Sequence, residues 1–202
     1  MGKAWIKDRK RDPYYRKAKA GGYRSRAAFK LLQLQERFSL IRRGDTVVDL
    51  GAAPGGWSQV ASELGAGSVV AVDRVFIQPI EGVKILRVDV GEGEALTAAV
   101  VEATDSADVV LSDMAPNVSG NRSLDHARSI DLAERALLLA RRVLRKGGHL
   151  VTKVFQGDMY PAFRRLVKDQ FTRTKDFSPP ASPRGSSEIY LVAMGWQGPG
   201  AP

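Results

Sequence analysis

Five short apolar runs, TVVDLG (46–51), SVVAVDR (68–74), VKILRVDV (83–90), ADVVLSDM (107–114) and GHLVTKVF (148–155), each give way to turn residues or to a helical pattern. That alternation constrains the chain most, because strands separated by helix-length crossovers pair in parallel and build an α/β sheet. Between the last two runs, the stretch from Leu124 to Arg145 is rich in alanine and leucine and ends at Lys146-Gly147-Gly148, which predicts a long helix. Upstream, SRAAFKLLQLQERFSL places Ala28, Leu31, Leu32 and Gln35 at helical spacing with Ser25 as cap, so a helix carrying Lys30 precedes the sheet. The turn-rich SPPASPRGSS leads into SEIYLVAMGW (187–196), a final strand reached by a hairpin-like return.

At 202 residues and 44% hydrophobic content, the chain supports one well-buried core, so residues 1–202 are expected to form a single domain. No run approaches the roughly 18 apolar residues of a membrane span, and the N-terminus lacks the apolar core of a signal peptide, which predicts a cytoplasmic protein with no membrane partner. With no cysteine and two histidines, thiolate catalysis, disulfides and cysteine-ligated zinc drop out, and no metal site is expected. Chemistry has to come from carboxylates, lysines, hydroxyls and backbone. The net charge of +9 is concentrated: residues 1–30 hold eleven lysines and arginines against two aspartates, while the rest of the chain holds twenty charges of each sign. Trp5, Tyr14, Tyr15, Tyr23 and Phe29 lie in the same segment, so cations that pair with phosphate are mixed with rings on which bases can stack. Nucleic acid is the partner this composition suits; a solvated basic tail is the simpler alternative.

After the first strand the chain reads Asp49-Leu50-Gly51-Ala52-Ala53-Pro54-Gly55-Gly56-Trp57-Ser58. Small residues such as Gly51, Gly55 and Gly56 let backbone approach a ligand, and a helix N-terminus beyond them offers amides. Ligands of open parallel sheets bind outside the carboxyl ends of the strands, where this loop lies. Asp73 ends the second run, where a carboxylate can accept both hydroxyls of a ribose, and Asp89 ends the third, where it can accept from an adenine amine. An adenosine ligand fits. A dinucleotide fingerprint needs glycine where Ala53 stands, and Pro54 stiffens the turn, so S-adenosylmethionine, which has no phosphates, is preferred to a nicotinamide cofactor.

Lys153 lies in an apolar strand, where its charge loses solvation unless the amine is paired, reaches solvent or is used in chemistry. Asp113 ends the neighbouring strand, Lys30 on the preceding helix offers a second cation, and Glu188 begins the last strand. The residues alone leave two readings open, a salt-bridged lysine covering a strand end and a general base.

Together SRAAFKLL, VVDLGAAPGGWSQV, LSDMAPNVSG, VTKVFQG and SSEIYLVA resemble the FtsJ family of S-adenosylmethionine-dependent RNA ribose 2′-O-methyltransferases, from about Asp12 to Trp196. The wording is most similar to the branch that methylates a uridine of large-subunit ribosomal RNA. The resemblance implies a Rossmann-like methyltransferase fold: a mostly parallel seven-stranded sheet, last strand antiparallel, helices on both faces, with FTRTKDF (171–177) as sixth strand. It implies a catalytic set of Lys30, Asp113, Lys153 and Glu188, with Lys153 as base for the 2′-hydroxyl, Asp113 positioning it, Lys30 limiting its protonation and Glu188 orienting both lysines. Cofactor contacts are implied at Gly55, Trp57, Asp73, Asp89 and Asp113. The expected partner is ribosomal RNA within the large subunit, bound by a monomer. Transfer RNA is the alternative substrate, since relatives modify anticodon loops, and a non-catalytic ribosome-assembly factor is the alternative of another class.

Overall fold

The computed structural model describes residues 12–183 and 185–199. Trp5 and the cations from Lys3 to Arg11, which carry part of the expected RNA-binding segment, lie outside the described residues. In chain order the elements are α1 (Pro13–Ala20), α2 (Ala28–Phe38), β1 (Thr46–Leu50), α3 (Gly56–Glu63), β2 (Ser68–Val72), β3 (Val83–Leu86), a 3-10 turn (Val90–Glu92), α4 (Gly93–Ala103), β4 (Ala107–Ser112), α5 (Arg122–Val143), β5 (Leu144–Phe155), α6 (Tyr160–Lys168), β6 (Phe171–Phe177) and β7 (Glu188–Trp196). The strands form one seven-stranded sheet in the order β3-β2-β1-β4-β5-β7-β6. All neighbours are parallel except β7, which runs antiparallel to both β5 and β6. This is the Rossmann-like architecture expected from the sequence, including a sixth strand over Phe171–Phe177.

Strand side chains alternate between faces, and both faces here are covered. Val47, Val69, Val109, Leu111, Val151 and Val192 pack under α2 and α3 with Leu31, Leu34, Trp57 and Val60. Their neighbours Val48, Leu50, Val70, Val110, Leu150 and Leu191 face the opposite layer with Ile130, Leu137 and Phe163 from α5 and α6. The same parity aims Asp49, Asp113, Lys153, Glu188 and Tyr190 toward the α2–α3 layer, so polar groups at the strand ends converge beneath the helix that carries Lys30.

Four expectations shift. β3 stops at Leu86, three residues short of Asp89, which instead caps the 3-10 turn by accepting from Gly91 N at 2.8 Å. The long helix runs Arg122–Val143, capped by Asn121, and Lys146-Gly147-Gly148 belong to β5, where Gly147 takes φ +85° beside a break in the β4–β5 register. Two glycines near a helix end read as a stop signal; here they serve a strand irregularity. Ser25 does not cap α2, which begins at Ala28 with no side-chain cap; its hydroxyl instead lies against Gly56. Finally, Tyr14 and Tyr23 are packed on Phe29 at ring-centroid distances of 5.5 and 5.6 Å, so these three rings form a small cluster and are not displayed singly for base stacking.

Candidate active site

Register brings the catalytic candidates together. Lys153 on β5 lies opposite Tyr190 on β7, and Phe155 lies opposite Glu188. On the other side Thr152 pairs with Ser112, so Asp113, the next residue of the β4 chain, flanks Lys153. Lys30, Lys153 and Glu188 are only 7%, 7% and 9% exposed. Lys153 Nζ donates to Asp113 Oδ1 at 2.9 Å and to the Asp113 backbone carbonyl at 2.6 Å. Lys30 Nζ approaches the same Oδ1 at 3.9 Å and forms an ion pair with Glu188 Oε1 at 2.7 Å, off the line of a directed hydrogen bond. Glu188 thus holds Lys30, whereas the ties of Lys153 run to Asp113, a narrower role for Glu188 than orienting both lysines.

Tyr190 is the member that charge-based reading passed over. Its hydroxyl donates to Asp113 Oδ1 at 2.5 Å and accepts from Lys30 Nζ at 3.1 Å. Burial, then the Asp113 and Glu188 charges, push this phenol well above its ordinary range, so it stays protonated and acts as a donor. For Asp113, burial pushes the carboxyl up, but Lys153, then Lys30 and the Tyr190 hydroxyl outweigh it, and the net is a lowered value. One carboxylate oxygen therefore faces two ammonium groups and a phenol in a water-poor setting, where such contacts are strong.

Beside this cluster, outside the carboxyl ends of β1 to β4, lies a cavity of about 600 Å³ lined by Gly51, Ala53, Asp73, Asp89, Asp113 and Met114 among others. Gly51 has φ +72°, and a Cβ there would come within 2.6 Å of Met114 Cγ, so only glycine lets the loop pass. Asp73 accepts from Ala53 N at 2.9 Å on Oδ2 and from Val75 N at 2.8 Å on Oδ1. Each oxygen keeps a further lone pair, so the carboxylate is aimed while still able to accept from a diol. Asp89 sits on the rim, 3.7 Å from Arg74. Gly55, Gly56 and Trp57, expected at the cofactor, stand where α3 begins, directly after Gly51 and Ala53 of the lining. Gly55 packs against Ile80 and Arg24, Gly56 against Ser25, and buried Trp57 donates from Nε1 to the Ala27 carbonyl at 2.7 Å with its ring 5.7 Å from that of Tyr190. Asp49 is also inside: fully buried, it accepts from Ser58 Oγ at 2.6 Å, and burial raises its pKa to about 7.

The cavity suits a nucleoside of cationic character. Its volume lies in the range of small-molecule sites, and its lining sets four carboxylates, Asp73, Asp89, Asp113 and Asp131, against the two guanidinium groups of Arg74 and Arg128, a negative balance that favours a sulfonium over a pyrophosphate. His126 is buried near the start of α5 and bridges the loop after β5, with Nδ1 2.9 Å from the Phe155 carbonyl and Nε2 accepting from Met159 N at 3.0 Å.

Residues 23–196 match the model of the FtsJ-like methyltransferase family. The chain is 51% identical to Ribosomal RNA large subunit methyltransferase E of Methanothrix thermoacetophila over 90% of its length and 71% of that protein. It is 46% identical to the protein of the same name from Methanothermobacter thermautotrophicus, over 98% of this chain and 96% of that one. A Plasmodium falciparum crystal structure, provisionally assigned as a ribosomal RNA methyltransferase, superposes with a TM-score of 0.79 at 25% identity over 87% of this chain and all of that one. With the family model spanning the sheet from the entry to α2 through β7, the chain belongs to the FtsJ-like methyltransferases.

Proposed function

We propose that the chain transfers a methyl group from S-adenosylmethionine to the ribose 2′-hydroxyl of a uridine in large-subunit ribosomal RNA, acting as a monomer in the cytoplasm. The observation that carries this reading is the buried Lys30–Asp113–Lys153–Glu188 cluster sharing Asp113 with the cavity. Asp73, Asp89 and Asp113 would hold the cofactor, which supplies an activated sulfonium methyl.

The role of Lys153 follows from valence. Once its ammonium has given up a proton, the Lys153 amine has two N–H bonds and one lone pair, and both donor directions are taken by the carbonyl and carboxylate of Asp113. The lone pair is left for the 2′-hydroxyl, whose proton passes to Nζ as the oxygen–methyl bond forms and the sulfur–methyl bond breaks. Asp113 fixes this direction from the same loop that lines the cavity, so base and methyl donor share one reference point; alignment of this kind supplies much of the barrier reduction. Lys30, held by Glu188 and Tyr190, adds positive charge where a ribose oxygen and its adjacent phosphate would sit. Exposed Arg16, Lys17 and Lys19 on α1 offer phosphate contacts.

The test is methyl transfer to isolated large subunits, naked ribosomal RNA and transfer RNA, with nucleotide mapping. Label on a ribose of the large subunit, abolished by Lys153→Ala, is the expected result. Label on transfer RNA alone would move the substrate, and cofactor binding without transfer to any RNA would point to an assembly factor.

A further inference from the structure

Asp73 fastens two loops from inside the cavity, since Ala53 belongs to the loop after β1 and Val75 to the loop after β2. The same two loops are fastened a second time from outside, by Arg24. Its guanidinium donates from Nη1 to the Gln78 carbonyl at 2.5 Å and the Pro54 carbonyl at 3.3 Å, and from Nη2 to the Pro79 carbonyl at 2.6 Å. Three backbone oxygens are thus gathered by one planar fork, a task that a single ammonium cannot reproduce. The arginine is itself seated: its backbone N donates to Gln59 Oε1 at 3.2 Å, and Gln59 Nε2 donates to the Gly22 carbonyl at 3.2 Å, so α3 grips the chain on either side of Tyr23. Gly55 makes room for this arrangement, because a Cβ there would lie 2.7 Å from Ile80 Cδ1 and 3.2 Å from Arg24 Cδ.

We infer that Arg24 is a positioning residue for the cofactor cavity, closing from outside the two loops that Asp73 closes from inside, and so making cofactor affinity depend on the seating of the N-terminal segment. The inference rests on the proposed S-adenosylmethionine site and deepens it. Arg24 belongs to a basic segment that composition alone assigns to RNA; its geometry gives it a different task. Among the described residues its side-chain hydrogen bonds run to backbone carbonyls, and none of them reaches Lys30, Asp113, Lys153 or Glu188.

Calorimetric titration of S-adenosylhomocysteine into wild type, Arg24→Ala and Arg24→Lys, with methyl-transfer kinetics on the RNA that wild type modifies, tests this. Arg24→Ala is expected to weaken S-adenosylhomocysteine about tenfold or more and to raise KM for S-adenosylmethionine in step, with kcat at saturation within about twofold of wild type. Arg24→Lys should recover little, about threefold at most, because the fork is lost. Gln59→Ala, which frees the backbone of Gly22 and Arg24 and keeps the guanidinium, should weaken binding about threefold and stands in if Arg24→Ala does not fold. Unchanged S-adenosylhomocysteine affinity in these variants, or a rise confined to KM for RNA, overturns the inference and leaves Arg24 as an RNA contact. Failure of wild type to bind S-adenosylhomocysteine would sink the cofactor site and the inference together, whereas equal binding by wild type and variant overturns the inference alone.

Discussion

The two halves of the sheet treat charge in opposite ways. At the β1–β3 end, Asp73 and Asp89 are held by backbone amides at the mouth of an open cavity, where a ligand can still reach them. At the β4–β5–β7 end, Asp113, Lys30, Lys153, Glu188 and Tyr190 hold one another under α2, most of them buried. Amides aim a carboxylate without using up its capacity, which suits recognition. Mutually satisfied side chains fix a proton path and tolerate no missing partner, which suits reaction. Only Asp113 serves both.

Substitutions that separate the halves test this division. Lys153→Ala should cut kcat by about a thousandfold, the scale of a lost general base, while S-adenosylhomocysteine affinity stays within about threefold by calorimetry. Asp73→Ala should do the reverse, weakening that ligand by roughly 10- to 100-fold with kcat at saturation little changed. Tyr190→Phe removes the phenol that joins Asp113 to Lys30 but keeps the ring; kcat should fall about tenfold with cofactor affinity unchanged. Loss of cofactor affinity in Lys153→Ala, or of kcat in Asp73→Ala, would break the comparison.

Asp49 acts on stability and has the smallest effect on turnover, which sharpens the boundary. Its folded pKa of about 7 exceeds its unfolded value, so between those values the folded chain binds more protons, and stability falls as pH rises toward 7 and then levels. Asp49→Asn should flatten that decline by about 3 kcal/mol between pH 5 and 8 in denaturant titrations. An unchanged slope would place the pH sensitivity elsewhere.

Periodicity and spacing made the architecture legible: every run read as a strand is one, and parity alone would have placed Lys153, Asp113 and Glu188 on one face. The same parity offers Tyr190, two residues after Glu188, but a tyrosine in an apolar strand reads as core until pairing sets it opposite Lys153. Asp89 lines the cavity from a 3-10 turn and not from a strand end, because β-branched residues continue past the point where β3 has lost its partner. Loop position alone does not reveal that Gly55, Gly56 and Trp57 also pack against Ile80, Ser25 and Ala27. Arg24 was hidden by its neighbours: in a run of cations, nothing in the sequence marks the one that turns inward onto backbone carbonyls.

The contact between Lys30 and Tyr190 spans 160 positions of the chain, joining the second helix to the last strand. Proteins are synthesised from the N-terminus, and pairings so distant in sequence form late, because their loops must close first. A nascent chain can order β1 to β4 and the loops beside them while Lys30 still lacks Glu188 and Asp113 lacks its phenol. Insertion of β7 between β5 and β6 completes both at once. On refolding, nucleoside binding should therefore return before methyl transfer, and catalytic competence becomes a readout of the final topological step.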